Sequence, residues 1–129
     1  EAGPRPANGT VLIRNASGRN ALAVRNTAGR DAQVKLRTRD GLTVLSVYVH
    51  AGQAALVDDV PDGSYRVLYS TGKRFSGACE MFMEDARVAT TREPLDLRRR
   101  PDGRPGAKAL QIGPAGTAEP LARDRFFSR

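Results

Sequence analysis

The segment from Val57 to Tyr69 does most to constrain the fold. It runs through Val57-Asp58-Asp59-Val60, then Pro61-Asp62-Gly63, then Ser64-Tyr65-Arg66-Val67-Leu68-Tyr69. Pro61 sets φ for the first central position of a turn and Gly63 accepts the positive φ that other residues resist, so the chain reverses between two extended runs. Such turn signals recur about every ten residues, and no window keeps helical periodicity beyond about three turns, the pattern of an all-β sandwich or barrel. No repeat of about 20–50 residues is present, which argues against a propeller or solenoid.

Residues 10–14 and 21–25 are short apolar runs around a turn at 15–20. Ala32, Val34 and Leu36 alternate with Gln33, Lys35 and Arg37, the period of a strand with one buried face. Residues 42–50 are apolar on both faces and rich in β-branched side chains, as in a central strand covered on both sides. Residues 53–57 and 64–70 flank the Pro61–Gly63 turn, and residues 70–74 read as a loop. Residues 79–83 and 87–90 read as the next hairpin, although Met81-Phe82-Met83 followed by Glu84-Asp85-Ala86 suits a helical turn as well. Residues 95–97 form a short strand, 101–106 a loop and 108–112 the last core strand.

A chain of 129 residues is about one domain with one core. Hydrophobic residues make up 40% but aromatic residues only 5%, with no Trp, so the core rests on Val, Leu, Ile and Ala rather than on an aromatic ligand platform. Tyr48, Tyr65 and Tyr69 read as core plugs whose hydroxyls bond a loop, in the manner of a tyrosine corner, in preference to a base-stacking surface. No run approaches the roughly 20 apolar residues of a membrane span, and the first residues lack the apolar stretch of a signal peptide. The chain opens without Met on a Pro/Gly-rich segment, residues 1–9, that reads as a linker in a fragment cut from behind an anchor or another domain.

Several chemistries find no motif. The single cysteine, Cys79, allows no internal disulfide and no multi-thiolate zinc site, and reads as a small buried hydrophobe. One histidine, His50, leaves nothing for a metal triad, and no Gly-x-Ser-x-Gly elbow surrounds any serine. Asp58-Asp59 with Asp62, and Glu84-Asp85, read as turn acids rather than as a glycosidase pair or a calcium loop. Thr71-Gly72-Lys73 alone is a weak match to a phosphate loop. Asn8-Gly9-Thr10 and Asn15-Ala16-Ser17 match the glycosylation acceptor pattern and are read as turns. No metal, cofactor or catalytic residue is therefore expected.

Charge points toward anionic partners: 21 Lys and Arg against 14 Asp and Glu give a formal charge of +7. Most of the basic residues are scattered, but Arg98-Arg99-Arg100, with Arg92 before and Arg104 and Lys108 after, form the densest cluster, and Arg98, Arg99, Arg100, Arg104 and Lys108 are the candidate binding residues. Cations within a Debye length sum into one potential that suits an acidic partner, anionic lipid or nucleic acid. The plainer role is that of a solvated loop whose charge keeps an edge strand from aggregating.

The order of motifs resembles a family of small C-terminal β-sandwich domains of bacterial proteins, found behind a membrane segment, a zinc ribbon or helical repeats. Ala23-Val24-Arg25-Asn26-Thr27 followed by Asp31-Ala32-Gln33-Val34-Lys35-Leu36 is similar to the family's strand, Asn-rich turn and "DAVVKL" strand. Ser46-Val47-Tyr48-Val49-His50-Ala51-Gly52 is similar to its "FYVRAG" segment, and residues 60–73 to its "IPDGTYRLYFATGK" signature. Ala109-Leu110-Gln111-Ile112-Gly113-Pro114 and Asp124-Arg125-Phe126 resemble its last strand and tail. Arg74-Phe75 and Leu95-Asp96-Leu97 depart from its pattern, and the resemblance carries no catalytic residue.

The expectation is an immunoglobulin-like antiparallel β-sandwich of about seven or eight strands over residues 10–114, with a tail at 115–129. Its expected role is that of a non-catalytic interaction or accessory module with a protein partner, in a bacterial, extracytoplasmic, envelope-associated protein. The alternative is an electrostatic binder that uses Arg98–Arg100 on nucleic acid or anionic membrane. A partner strand adding at residues 108–112 or 10–14 requires one of those strands to be an open edge.

Overall fold

A computed structural model describes residues 4–113, 118–120 and 126, and the protein is all-β. The strands are β1 Val11–Arg14, β2 Asn20–Asn26, β3 Asp31–Arg37, β4 Thr43–Val49, β5 Ala54–Val60, β6 Gly63–Ser76, β7 Met81–Thr91, β8 Leu95–Leu97, β9 Ala107–Ile112 and β10 Ala118–Pro120. The larger sheet has the order β1-β4-β3-β6-β7-β10, with β8 also on β6, and the smaller sheet has the order β5-β2-β9. Pairings are antiparallel except that of β2 with β9. β8 and β10 are three-residue segments, so the longer strands match the expected number.

The two sheets face each other across an aliphatic core. Leu22 and Val24 of β2, Val57 and Val60 of β5 and Ile112 of β9 pack with Val34 and Leu36 of β3, Val47 of β4 and Val67 of β6. The three tyrosines are buried as expected. Tyr65 donates its hydroxyl to Pro61 O at 2.6 Å, which braces the Pro61–Gly63 turn from inside. That turn does not make a hairpin, because β5 and β6 lie in different sheets; it carries the chain across the sandwich. The same is true of the segment between β1 and β2.

Three local expectations are corrected. Residues 70–74 are not a loop, because β6 runs on to Ser76 and shifts register against β7 between Thr71 and Lys73. A Cβ at Gly72 would lie 2.6 Å from Phe82 Cβ and 2.9 Å from Glu84 O, so this glycine permits close strand approach rather than marking a turn. Residues 79–90 are not a hairpin or a helical turn. Gly77 to Glu80 makes the reversal and β7 then runs unbroken to Thr91, with Asp85 at φ 53° inside it. Cys79 is exposed in that reversal rather than buried.

The polar face of β3 is also covered. Gln33, Lys35 and Arg37 are buried along with Ala32, Val34 and Leu36, so β3 has no solvated face. Gln33 donates to Ser46 Oγ at 3.1 Å, while Lys35 and Arg37 both donate to Phe126 O, at 2.8 and 3.0 Å. Lys35 also lies 4.2 Å from the centre of the Phe126 ring. Phe126 is fully buried, and the rest of the expected tail, apart from Ala118–Pro120, lies outside the described residues. A residue distant in sequence supplies the cover, which an alternating pattern cannot reveal.

Two fully buried asparagines close β2 at its ends. Asn20 donates through Nδ2 to Val60 O (3.0 Å) and Asp62 Oδ1 (2.7 Å), and accepts from Gly106 N–H (2.8 Å). Asn26 donates to Arg30 O (2.7 Å) and Val49 O (3.1 Å), and accepts from Ala28 N–H (2.9 Å). Replacing Asn20 with Ala leaves the Val60 carbonyl and the Gly106 N–H without this partner. The expected loss is about 2–4 kcal/mol, read as a lower urea midpoint at unchanged m. An unmoved midpoint would show that these bonds do not hold the crossings.

Candidate functional site

A sheet edge offers unpaired N–H and C=O groups, so the treatment of each edge decides what the sandwich can accept. At β5 the two ends of the edge are engaged by neighbouring segments, while Leu56 between them stays exposed. Arg14 donates to Asp59 O (2.8 Å) and Asp58 O (3.0 Å), Gly18 N–H to Asp59 O (2.9 Å) and Asn8 Nδ2 to Ala54 O (2.9 Å). β1 is four residues long and bulged between Val11 and Ile13. β10 is three residues long and ends in Pro120, which has no N–H to give.

β9 has none of these protections among the described residues. It pairs only with β2. Ala21 N–H donates to Gly106 O and Thr27 N–H to Ile112 O, so by the alternation of a parallel ladder Gly106, Lys108, Leu110 and Ile112 bond β2. The N–H and C=O groups of Ala107, Ala109 and Gln111 therefore point away from the sheet, and all three residues are exposed. Beside this edge lies a groove of about 400 Å³, lined by Thr91 to Leu95 on one side and Leu110 and Gln111 on the other.

The basic cluster leads into the same edge. Arg98, Arg99, Arg100, Arg104 and Lys108 are all exposed. Arg99 N–H bonds Asp62 Oδ1 at 3.0 Å, Arg100 N–H bonds Arg104 O at 2.9 Å, and Arg104 pairs with Asp102 at 3.3 Å. Gly106 packs so tightly on the Arg98 carbonyl that a Cβ there would collide with it. This contact sets the loop at the N-terminal end of β9. The Asn20 amide lowers the Asp62 carboxyl below its ordinary range against a smaller opposing effect of burial, and the Arg99 N–H and the Arg99 and Arg98 charges add to the lowering.

A second concavity of about 340 Å³ lies at the N-terminal end of β3, with Arg5, Arg30, Asp31, Tyr48, Lys73, Arg74 and Phe75 in its wall. Its cations are engaged. Arg5 grips Asp31 at 2.7 and 2.9 Å, Arg30 and Lys73 approach Asp85 at 3.4 and 4.0 Å, and Arg74 approaches Glu84 at 3.6 Å. Asp31 also accepts from Tyr48 OH (2.7 Å) and Ala51 N–H (3.0 Å). Asn8 Oδ1 accepts from His50 N–H at 2.8 Å, and His50 Nε2 lies 2.7 Å from Pro6 O. The segment read as a linker is thus fastened from Arg5 onward.

The other candidates take structural places. His50 packs edge-on against Tyr48 with ring centres 5.8 Å apart. The Cys79 N–H bonds Ser76 Oγ at 3.2 Å. The Asp58 and Asp59 carbonyls hold Arg14, and Asp59 has φ 60°. Among the described residues no group of three or more His, Cys, Asp or Glu is placed to hold a metal ion. The chain was compared with protein families, with curated proteins and with solved structures, and it matches none of them.

Burial alone would raise the Asp31 carboxyl, but the Arg5, Tyr48 and Ala51 donors outweigh it and hold the group at about 2 against an ordinary 3.8. Burial and the adjacent carboxylate raise the Tyr48 hydroxyl well above its usual range. A carboxyl lowered on folding stabilises above its unfolded pKa, and the contribution is lost as pH falls through the folded value. With solvent screening at this rim, Asp31→Asn is expected to cost about 1–2 kcal/mol at pH 7. The gap from the native protein should shrink as denaturation is repeated toward pH 2; a gap independent of pH would remove the carboxylate from the account.

Proposed function

We propose that the chain is a non-catalytic interaction module of a bacterial, envelope-associated protein, and that it binds its partner by accepting an extended segment as a further strand on β9. The observation that carries this reading is that, among the described residues, β9 pairs only with β2, so that Ala107, Ala109 and Gln111 turn their backbone N–H and C=O groups outward beside a groove. Main-chain bonding of this kind gives affinity, and side-chain pockets beside the edge give specificity. The groove next to Leu110 is such a pocket. The resemblance to accessory domains behind membrane segments supports the envelope setting.

Ala109→Pro tests the reading. Its N–H faces outward, so proline leaves the β2 ladder intact while its ring blocks strand addition. Peptides selected from a random library on the native protein are expected to lose at least about tenfold in affinity on this variant, the equivalent of some 1.4 kcal/mol, with its thermal midpoint little changed. Selected peptides that bind both proteins alike would overturn strand addition.

The rival use of the exposed Arg98, Arg99 and Arg100, on nucleic acid or anionic membrane, predicts affinity that falls steeply with salt. Titrating labelled nucleic acid and anionic vesicles at two ionic strengths, beside the triple Ala variant, separates the two. Steeply salt-dependent binding lost in that variant would favour the rival.

A further inference from the structure

Strand addition on β9 leaves the partner's chemistry open, and the residues flanking that edge narrow it. Resting on strand addition, we infer that the added segment is acidic and that an apolar residue stands two positions from its nearest carboxylate. Lys108, Leu110 and Ile112 share one face of β9 by strand alternation. A partner residue opposite Leu110 enters the groove against Leu95 and Pro94. The partner residue two positions along on the same face lies opposite Lys108. The one after it reaches the level of Gly106, where the Arg98 backbone packs and the loop bearing Arg98 to Arg100 begins.

Charge decides the chemistry. The N-terminal end of β9 is fed by a loop in which exposed cations outnumber the carboxylates of Asp62 and Asp102. A basic segment would meet like charge beside the loop, whereas an acidic one gains several exposed pairs and faster encounter. The outer face of β9 at Ala109 borders a concavity lined by Ala21, Ala23, Leu56, Ala107 and Lys108.

Three blocked peptides test the inference: Thr-Val-Thr-Glu-Thr-Glu, its counterpart with Lys in place of Glu, and the first sequence reversed. Amide exchange at Ala107, Ala109 and Gln111 reports strand addition, and the affinities report the chemistry. The first and third peptides present the same spacing in the two strand directions; the better of them is expected to protect these amides and to bind about tenfold more tightly than the Lys peptide. Lys108→Glu is expected to narrow or invert the charge preference without altering the fold. Equal binding of the Glu and Lys peptides with the amides still protected would overturn the acidic partner and leave strand addition standing. Unprotected amides with all three would overturn both this inference and the reading beneath it.

Discussion

The paired asparagines at the ends of β2 are the constraint on which the rest depends. A small middle strand cannot by itself align two sheets, yet Asn20 and Asn26 are each fully buried with both amide atoms bonded. Buried amides of this kind tolerate few geometries, because a lost partner leaves a desolvated polar atom. Asn20 draws the end of β5, the crossing at Asp62 and the start of β9 to one point. Asn26 does the same for the turn at Ala28, the loop before β3 and the end of β4. The open edge and the basic loop stand where they do because Asn20 anchors Gly106 and shares Asp62 with the Arg99 N–H.

Polar burial recurs on the outer face of the larger sheet. Tyr48, Phe75 and Phe82 make a second apolar cluster at one end, with ring centres 5.1–6.0 Å apart, and Lys35 and Arg37 converge on Phe126 at the other. Both cations therefore serve the chain's own packing. Other exposed basic residues, such as Arg19, Arg25, Arg39, Arg66 and Arg87, are scattered, whereas those of the loop before β9 are clustered.

Much of the architecture was legible because strand composition and turn residues are local. The alternation at Ala32–Leu36 and the β-branched run of β4 are short-range signals, and both became strands in a two-layer stack. Pairing partners were less accessible. Pro61–Gly63 announced a reversal but not that it crosses between sheets, and Gly72 and Glu84-Asp85 announced turns where a bulged ladder continues. The cover over Lys35 and Arg37 comes from about ninety residues away in sequence, beyond any periodic pattern. The basic cluster was visible at once as composition, and Lys108 to Ile112 as a strand. That the outer flank of β9 is unpaired among the described residues emerged only with the strand order.

The parallel pairing of β2 with β9 also bears on how the molecule assembles. Ala21 aligns with Ala107 and Asn26 with Ile112, so each rung closes a loop of 86 residues, since 107 − 21 and 112 − 26 both equal 86. Contacts so distant in sequence form slowly, because the entropy of loop closure is lost before any rung compensates for it. During synthesis at the ribosome the flank of β2 stays vacant until residues 107–112 have emerged. The nascent chain is therefore most exposed to mispairing just before its smaller layer is complete.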